Sequence, residues 1–209
     1  MDWELEPKLL QKYGWPDAAG LDEAGRGPWA GPVVAAAVLI RDRKQLREQV
    51  PLLRDSKKLS PRQRKIVADQ LKTSSSLVWS VAIATAQEID ASDILKATQL
   101  AMYRALQNLE AQPGGLWIDG NPMRQFEMNA VYFKKGDDLL PSIAAASVLA
   151  KVTRDSIMEQ LHERYPQYGF ARHKGYGTAD HAAALKKWGP CPEHRRSFTP
   201  VRSAACTES

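Results

Sequence analysis

Cysteine is nearly absent. The 209-residue chain has two, Cys191 and Cys206, both within its last twenty positions. That is too few and too peripheral for a disulfide framework, and a reducing cytosol is the simpler home. Long apolar runs are also missing: "VVAAAVLI" stops after eight residues, well short of the ~18 that a membrane span requires. The N-terminal "MDWELEPKLLQKYGWPD" is charged throughout and lacks the apolar centre of a signal peptide. No internal repeat, low-complexity tract or long linker interrupts the chain. The expectation is a soluble, unprocessed, cytoplasmic monomer with no membrane partner, built as one main domain.

What is present suits a compact protein with its own core, at 44% hydrophobic and 25% charged residues. Twenty-nine Lys and Arg against twenty-four Asp and Glu leave a formal charge of +5. That balance fits a polyanionic partner without requiring one.

"AAGLDEAG" and "VVAAAVLI" (33–40) read as two strands joined by a Gly/Pro-rich turn, hence an antiparallel hairpin. Ser60-Pro61 is a helix start, a cap followed by a first-turn proline. "SLVWSVAIATA" (76–86) alternates as a third strand. Ser92 is expected to cap a long helix whose Ile94, Leu95, Thr98, Ala101, Met102, Ala105, Leu106 and Leu109 form an apolar stripe. "LWIDG" (116–120) and "NAVYFKKGD" (129–137) are two further strand candidates. A second long helix covers "SIAAASVLAKVTRDSIMEQLHERY", followed by irregular "PQYGFARHKGYG" and a last helix near "TADHAAALKKW". Trp79, Trp117 and the alanine run 144–146 read as core. Five strands interleaved with helices imply an α/β fold with a mixed sheet, where function gathers at strand ends.

Four acids, Asp22, Glu23, Asp119 and Asp137, fall where this map ends a strand. A lone acid there is most simply a turn former. As a set they read differently, because Asp22, Glu23 and Asp119 sit in apolar sequence where an ionised carboxylate needs a cation. Clustered carboxylates suit Mg²⁺-type ions and two-metal hydrolysis of a phosphodiester. Adjacent strand residues point to opposite faces, so Asp22 and Glu23 are expected to share a site only if the strand ends or bulges there.

Gly25-Arg26-Gly27 is no dinucleotide fingerprint, since the glycine spacing is wrong and no helix follows. It reads either as a tight turn with a solvated arginine or as a backbone able to approach a phosphate closely. "DSKKLS" (55–60) and "RHKGYG" (172–177) are further basic clusters, the second with a tyrosine suited to stacking. Cys191 and His194 make an isolated C-x-x-H, a weak zinc signal. Ser147 and Lys151 have the spacing S-x-x-x-K, which gives no serine nucleophile. Three function classes remain at this level: a phosphodiester hydrolase, a nucleic-acid binding protein without catalysis, and a phosphatase acting on small substrates.

Several blocks, "GLDEAGRGPWAGPVVAAAVL", "DSKKLS", "WIDGN", "KKGDDLLPSIAAASVLAKVTRD", "YPQYGFARHKGYGT" and "GPCPEHRRSFTPV", together resemble type 2 ribonuclease H, the ribonuclease HII family, nearly end to end. The resemblance implies a ribonuclease H-like five-stranded mixed sheet flanked by helices over 1–209, with a helical C-terminal extension from about 165 and a flexible tail at 202–209. It implies an endonuclease that hydrolyses RNA in RNA/DNA hybrids and incises 5′ to single ribonucleotides in duplex DNA. Mg²⁺ or Mn²⁺, two ions during catalysis, would serve as cofactor. The family's metal quartet falls on Asp22, Glu23, Asp119 and Asp137, the last because it closes lysine-glycine-aspartate ten positions before Ser147. Gly25, Arg26 and Gly27 correspond to the motif that recognises the 2′-hydroxyl and adjoining phosphate. Tyr176 corresponds to the tyrosine stacking on the next sugar, and Lys57, Ser147 and Lys151 to phosphate contacts. Asp155 then reads as a helix residue, and Asp138 and Trp29 as departures from the family pattern, Trp29 with a bearing on substrate fit.

Overall fold

The computed structural model describes residues 1–121 and 128–205. Its strands are β1 (Ala19–Ala24), β2 (Val33–Ile40), β3 (Leu77–Ala84), β4 (Leu116–Asp119) and β5 (Ala130–Phe133), in the order β3-β2-β1-β4-β5. The three early strands are antiparallel neighbours, whereas β4 joins β1, and β5 joins β4, in parallel. The expected hairpin and mixed sheet are therefore present.

The helices are α1 (Leu5–Tyr13), α2 (Arg43–Gln49), α3 (Pro61–Thr73), α4 (Ala86–Ala91), α5 (Ile94–Gln107), α6 (Gly136–Leu139), α7 (Pro141–Arg164), α8 (Phe170–His173), α9 (Ala179–Trp188) and α10 (Thr199–Ala205). Ser60 caps α3 in a reciprocal capping box with Gln63, as its Ser-Pro start foretells. The start of α5 differs from expectation. Ser92 ends α4 instead, donating its hydroxyl to Glu88 O at 2.9 Å, and Asp93 caps α5 by accepting from Leu95 and Lys96 N–H. Leu95, assigned to the apolar stripe, is half exposed, while Ala97, Ala101, Met102 and Ala105 of α5 are buried.

Two layers of core sandwich the sheet. On one face α7 lies over β1 and β2, its Ala144, Ala145 and Ala146 fully buried beside Val34, Ala36 and Val38. Small residues on both sides let helix and sheet approach closely. A Cβ on Gly20 would come within 2.5 Å of backbone atoms of Ser142 and Ile143 in α7. On the other face α5 packs over Leu21, Ala35, Ala37 and Ile118. Trp117 is fully buried in a cluster with Ile143 and Leu140, whereas Trp79 is only half-buried.

A smaller cluster of Ala30, Met158, Leu161, Tyr168, Phe170 and Cys191 lies where the far end of α7 meets the C-terminal segment. α9 is not the last helix, because residues 202–205, expected as flexible tail, belong to α10. Cys206 and the rest of that tail fall outside the described residues.

Candidate active site

Strand parity brings the acids together. Register pairs Gly20 with Trp117 and Leu21 with Ile118, so one step further on Asp22 and Asp119 stand on adjacent strands facing α7. Asp137 arrives differently from expectation: it does not end a strand but lies in the first turn of α6, after Lys135 turns the chain in the left-handed region at φ 58°. One carboxylate oxygen from each of Asp22, Asp119 and Asp137 lies within 4.8 Å of the others.

No bulge or early strand end assists Glu23. β1 runs on to Ala24, with Asp22 opposite Ala36 and Glu23 opposite Ala35 in unbroken register. Glu23 therefore starts toward the other face, and its longer side chain reaches the same pocket, where its carboxylate accepts from Arg26 at 3.2 Å. It stands outside the compact group of three.

The electrostatics explain why these acids need a cation. Burial, then the charges of Glu23 and Asp119, raise the Asp22 carboxyl well above the usual carboxylate range, although hydrogen bonds from Ser147 and Glu23 N–H oppose the shift. Burial also raises Glu23, partly countered by Arg26. Asp119 rises through burial and the charge of Asp137, while Gly136 N–H donates to it at 2.6 Å. Lys57 Nζ donates to Asp137 at 2.9 Å. Burial tends to lower the Lys57 ammonium, and Asp137 more than reverses that. An all-oxygen donor set, partly buried and mutually repelling, fits a hard divalent ion.

A pocket of about 300 Å³ opens over this group. Asp22, Glu23, Gly25, Arg26, Gly27, Lys57, Asp119, Ser147, Lys151 and Tyr176 all line it, so the residues singled out from sequence converge there, with Asp137 completing the carboxylate group beside them. Ser147 shares a 2.9 Å hydroxyl contact with Ser56. Lys151 is tied to Asp155 at 2.7 Å, and Lys58 to Asp138, so both lysines are engaged by acids outside the group of four. Tyr176 is 47% exposed and borders Gly27, where a Cβ would lie 3.7 Å from the ring. Trp29 does not line the pocket. It packs over Gly177 and lies 5.3 Å from the ring of His181.

Sequence reasoning overlooked the pocket residues Arg64 and Arg154 and the buried Arg195 beneath. All three lie in or next to blocks that carry the family resemblance, but nothing local marks an arginine as buried. The weak C-x-x-H signal also resolves. Cys191 N–H donates to His194 Nδ1 at 3.0 Å, and His194 Nε2 meets His181 Nε2 at the same distance. Both nitrogens of His194 are thus engaged within the protein.

A sheet of this topology ending in buried acids under a basic, glycine-lined pocket is a metal-dependent nucleic-acid hydrolase of the ribonuclease H type. The ribonuclease H2 of Pyrococcus horikoshii superposes with a TM-score of 0.75 at 27% identity, covering 90% of this chain and 97% of that one. The family model for ribonuclease HII matches residues 19–201. The ribonuclease HII of Thiobacillus denitrificans is 51% identical over 88% of this chain and 87% of its own length. That of Verminephrobacter eiseniae is 52% identical over 94% and 91% respectively. The chain belongs to the ribonuclease HII family, and it is a metal-dependent endoribonuclease acting on nucleic acid.

Proposed function

We propose that this protein hydrolyses RNA paired with DNA and incises duplex DNA on the 5′ side of a single embedded ribonucleotide, leaving 3′-hydroxyl and 5′-phosphate ends. The observation that carries the reading is the convergence of Asp22, Asp119 and Asp137 within 4.8 Å of one another, beside the pocket lined by Gly25-Arg26-Gly27 and Tyr176. Asp22, Glu23, Asp119 and Asp137 would hold the Mg²⁺ or Mn²⁺ ions. Two such ions supply a water activated at neutral pH and charge stabilisation of the leaving oxygen.

The protein groups do the recognition. Backbone at Gly25, Arg26 and Gly27 meets the 2′-hydroxyl, the one group that separates RNA from DNA at a single position, and the adjoining phosphate. Tyr176 offers an exposed ring for the sugar that follows. Lys57, Ser147 and Lys151 meet backbone phosphates, and Lys57 also neutralises Asp137. The reading takes the protein as a cytoplasmic monomer with one such site. Cutting a duplex that carries one ribonucleotide, in Mg²⁺ and beside an all-DNA control, is the test. Incision at the ribonucleotide alone is expected; tight binding that chelator leaves unchanged, with no incision, would favour a binding protein instead.

A further inference from the structure

Two arginines lie beneath the Gly25-Arg26-Gly27 loop with almost no exposure to solvent. Arg195 donates from Nε to Gly31 O at 3.0 Å, from one terminal nitrogen to Arg26 O at 2.8 Å, and from the other to Gly25 O at 2.5 Å. Arg154 donates to the carbonyls of Pro32, Lys174 and Ala30 at 3.0, 3.0 and 3.1 Å. Among the described residues, neither guanidinium has a carboxylate in direct contact; Asp155 and Asp90 favour the charged forms of Arg154 and Arg195 only from farther off and do not outweigh burial. Burial lowers them to about 9 for Arg195 and about 10 for Arg154, so both stay charged at neutral pH. A buried charge without an opposite charge is costly, and carbonyl dipoles offset only part of that cost.

Peptide geometry gives the arrangement a direction. In a planar trans peptide the C=O of one residue and the N–H of the next point opposite ways. Holding Gly25 O and Arg26 O downward therefore turns Arg26 N–H and Gly27 N–H upward, and these residues line the pocket. Neither amide has a protein acceptor among the described residues. Gly25 is at φ 99°, and a Cβ there would lie 2.0 Å from Arg154 Nε. The loop is thus pressed onto the arginines too closely for any larger residue. The C-terminal segment locks the far side, with Arg195 N–H donating to Trp29 O at 2.8 Å and Gly31 N–H to Glu193 O at 2.9 Å.

We propose that Arg195 is a positioning residue for substrate binding: it aims the amides of Arg26 and Gly27 at the phosphate adjoining the ribonucleotide, and that phosphate is the counter-ion which the buried Arg195–Arg154 pair lacks. The inference rests on the proposed function and adds to it the origin of the loop's affinity for phosphate. Arg195→Lys keeps the charge and loses the three-way fork. It should raise KM for the single-ribonucleotide duplex on the order of tenfold to a hundredfold, as expected for misdirected hydrogen bonds to a charged group, with kcat changed by less than about threefold.

The decisive comparison replaces the phosphodiester on the 3′ side of the ribonucleotide with an uncharged methylphosphonate. Wild-type KM should rise by a similar factor, and on that substrate Arg195→Lys should cost little more, because both changes remove one interaction. Losses that simply add, or a variant with a lower thermal midpoint and unchanged KM, would overturn the proposal. If Arg195→Lys does not fold, the wild-type comparison decides: equal KM on the two duplexes overturns it. Wild-type protein unable to cut the unmodified duplex overturns the proposed function itself, an outcome distinct from these.

Discussion

Asp22 and Asp137 are buried and Asp119 half-buried within reach of one another, and with only Lys57 on Asp137 the group remains unfavourable until a further cation joins it. Asp119 provides the cleanest residue-scale test, because Asn keeps its shape and can still accept the 2.6 Å bond from Gly136 N–H. Asp119→Asn should lower cleavage at least about a hundredfold, as loss of a charged ligand does. Its thermal midpoint in metal-free buffer should be unchanged or higher, since like-charge repulsion with Asp137 is relieved. Near-wild-type turnover would remove Asp119 from the ligand set. Glu23 is the residue whose placement sequence alone described least well. Alternation put it on the wrong face, and side-chain length resolved what no bulge did.

Helix α7 carries Ser147, Lys151 and Arg154 to the site, so its anchoring matters at the scale of elements. Its own N-cap, Leu140, has no side chain able to cap. Glu6 of α1, fully buried, takes that role from a distance. It accepts from Ser142 N–H at 2.9 Å and from the Ser142 hydroxyl at 2.6 Å, and its other oxygen accepts from Arg43 at 3.2 Å. Glu6→Ala leaves a buried amide and hydroxyl without partners, which costs about 2 kcal/mol. Chemical denaturation should record that loss; a change below about 0.5 kcal/mol would mean water replaces the carboxylate. The capping box of α3 and the full extent of β2 follow from neighbouring residues and are read locally, whereas Thr85 and Ala86, expected at the end of a strand, cap and begin α4. The cap of α7 is 136 residues from its partner, beyond any local pattern.

Across the whole molecule, two groups of buried titratable residues respond to acid in opposite senses. The raised carboxylates of the site favour the fold as pH falls and they take up protons. The histidines beneath the loop do the reverse. Cys191 N–H occupies His194 Nδ1, so His194 donates from Nε2 to His181 Nε2, and His181 Nδ1–H donates to Tyr176 O at 2.9 Å. Each ring is neutral in that chain. Burial lowers His181 to about 4 and His194 to about 3, below the unfolded value of 6.5. Their contribution is fully present above pH 6.5 and is lost as pH falls toward 4 for His181 and toward 3 for His194, on the order of 2 kcal/mol for each by pH 5. A His181→Gln, His194→Asn double variant should therefore show a thermal midpoint that falls less between pH 7 and pH 5 than the wild type's. Parallel profiles would show that the pair does not carry the acid response.

The four acids, the Gly25-Arg26-Gly27 turn, Tyr176, the strand segments and the two long helices were legible in order along the chain, from motif blocks, spacing and apolar pattern over neighbouring positions, whereas Arg64, Arg154 and Arg195 were not. Tertiary structure decided the rest. It set Asp137 on a helix instead of a strand end, gave Asp93 the cap expected of Ser92, and put Arg195 under a loop 169 residues away. Those outcomes rest on which surfaces meet once the sheet closes, and on which buried donors must then find an acceptor, conditions that no short stretch of sequence contains.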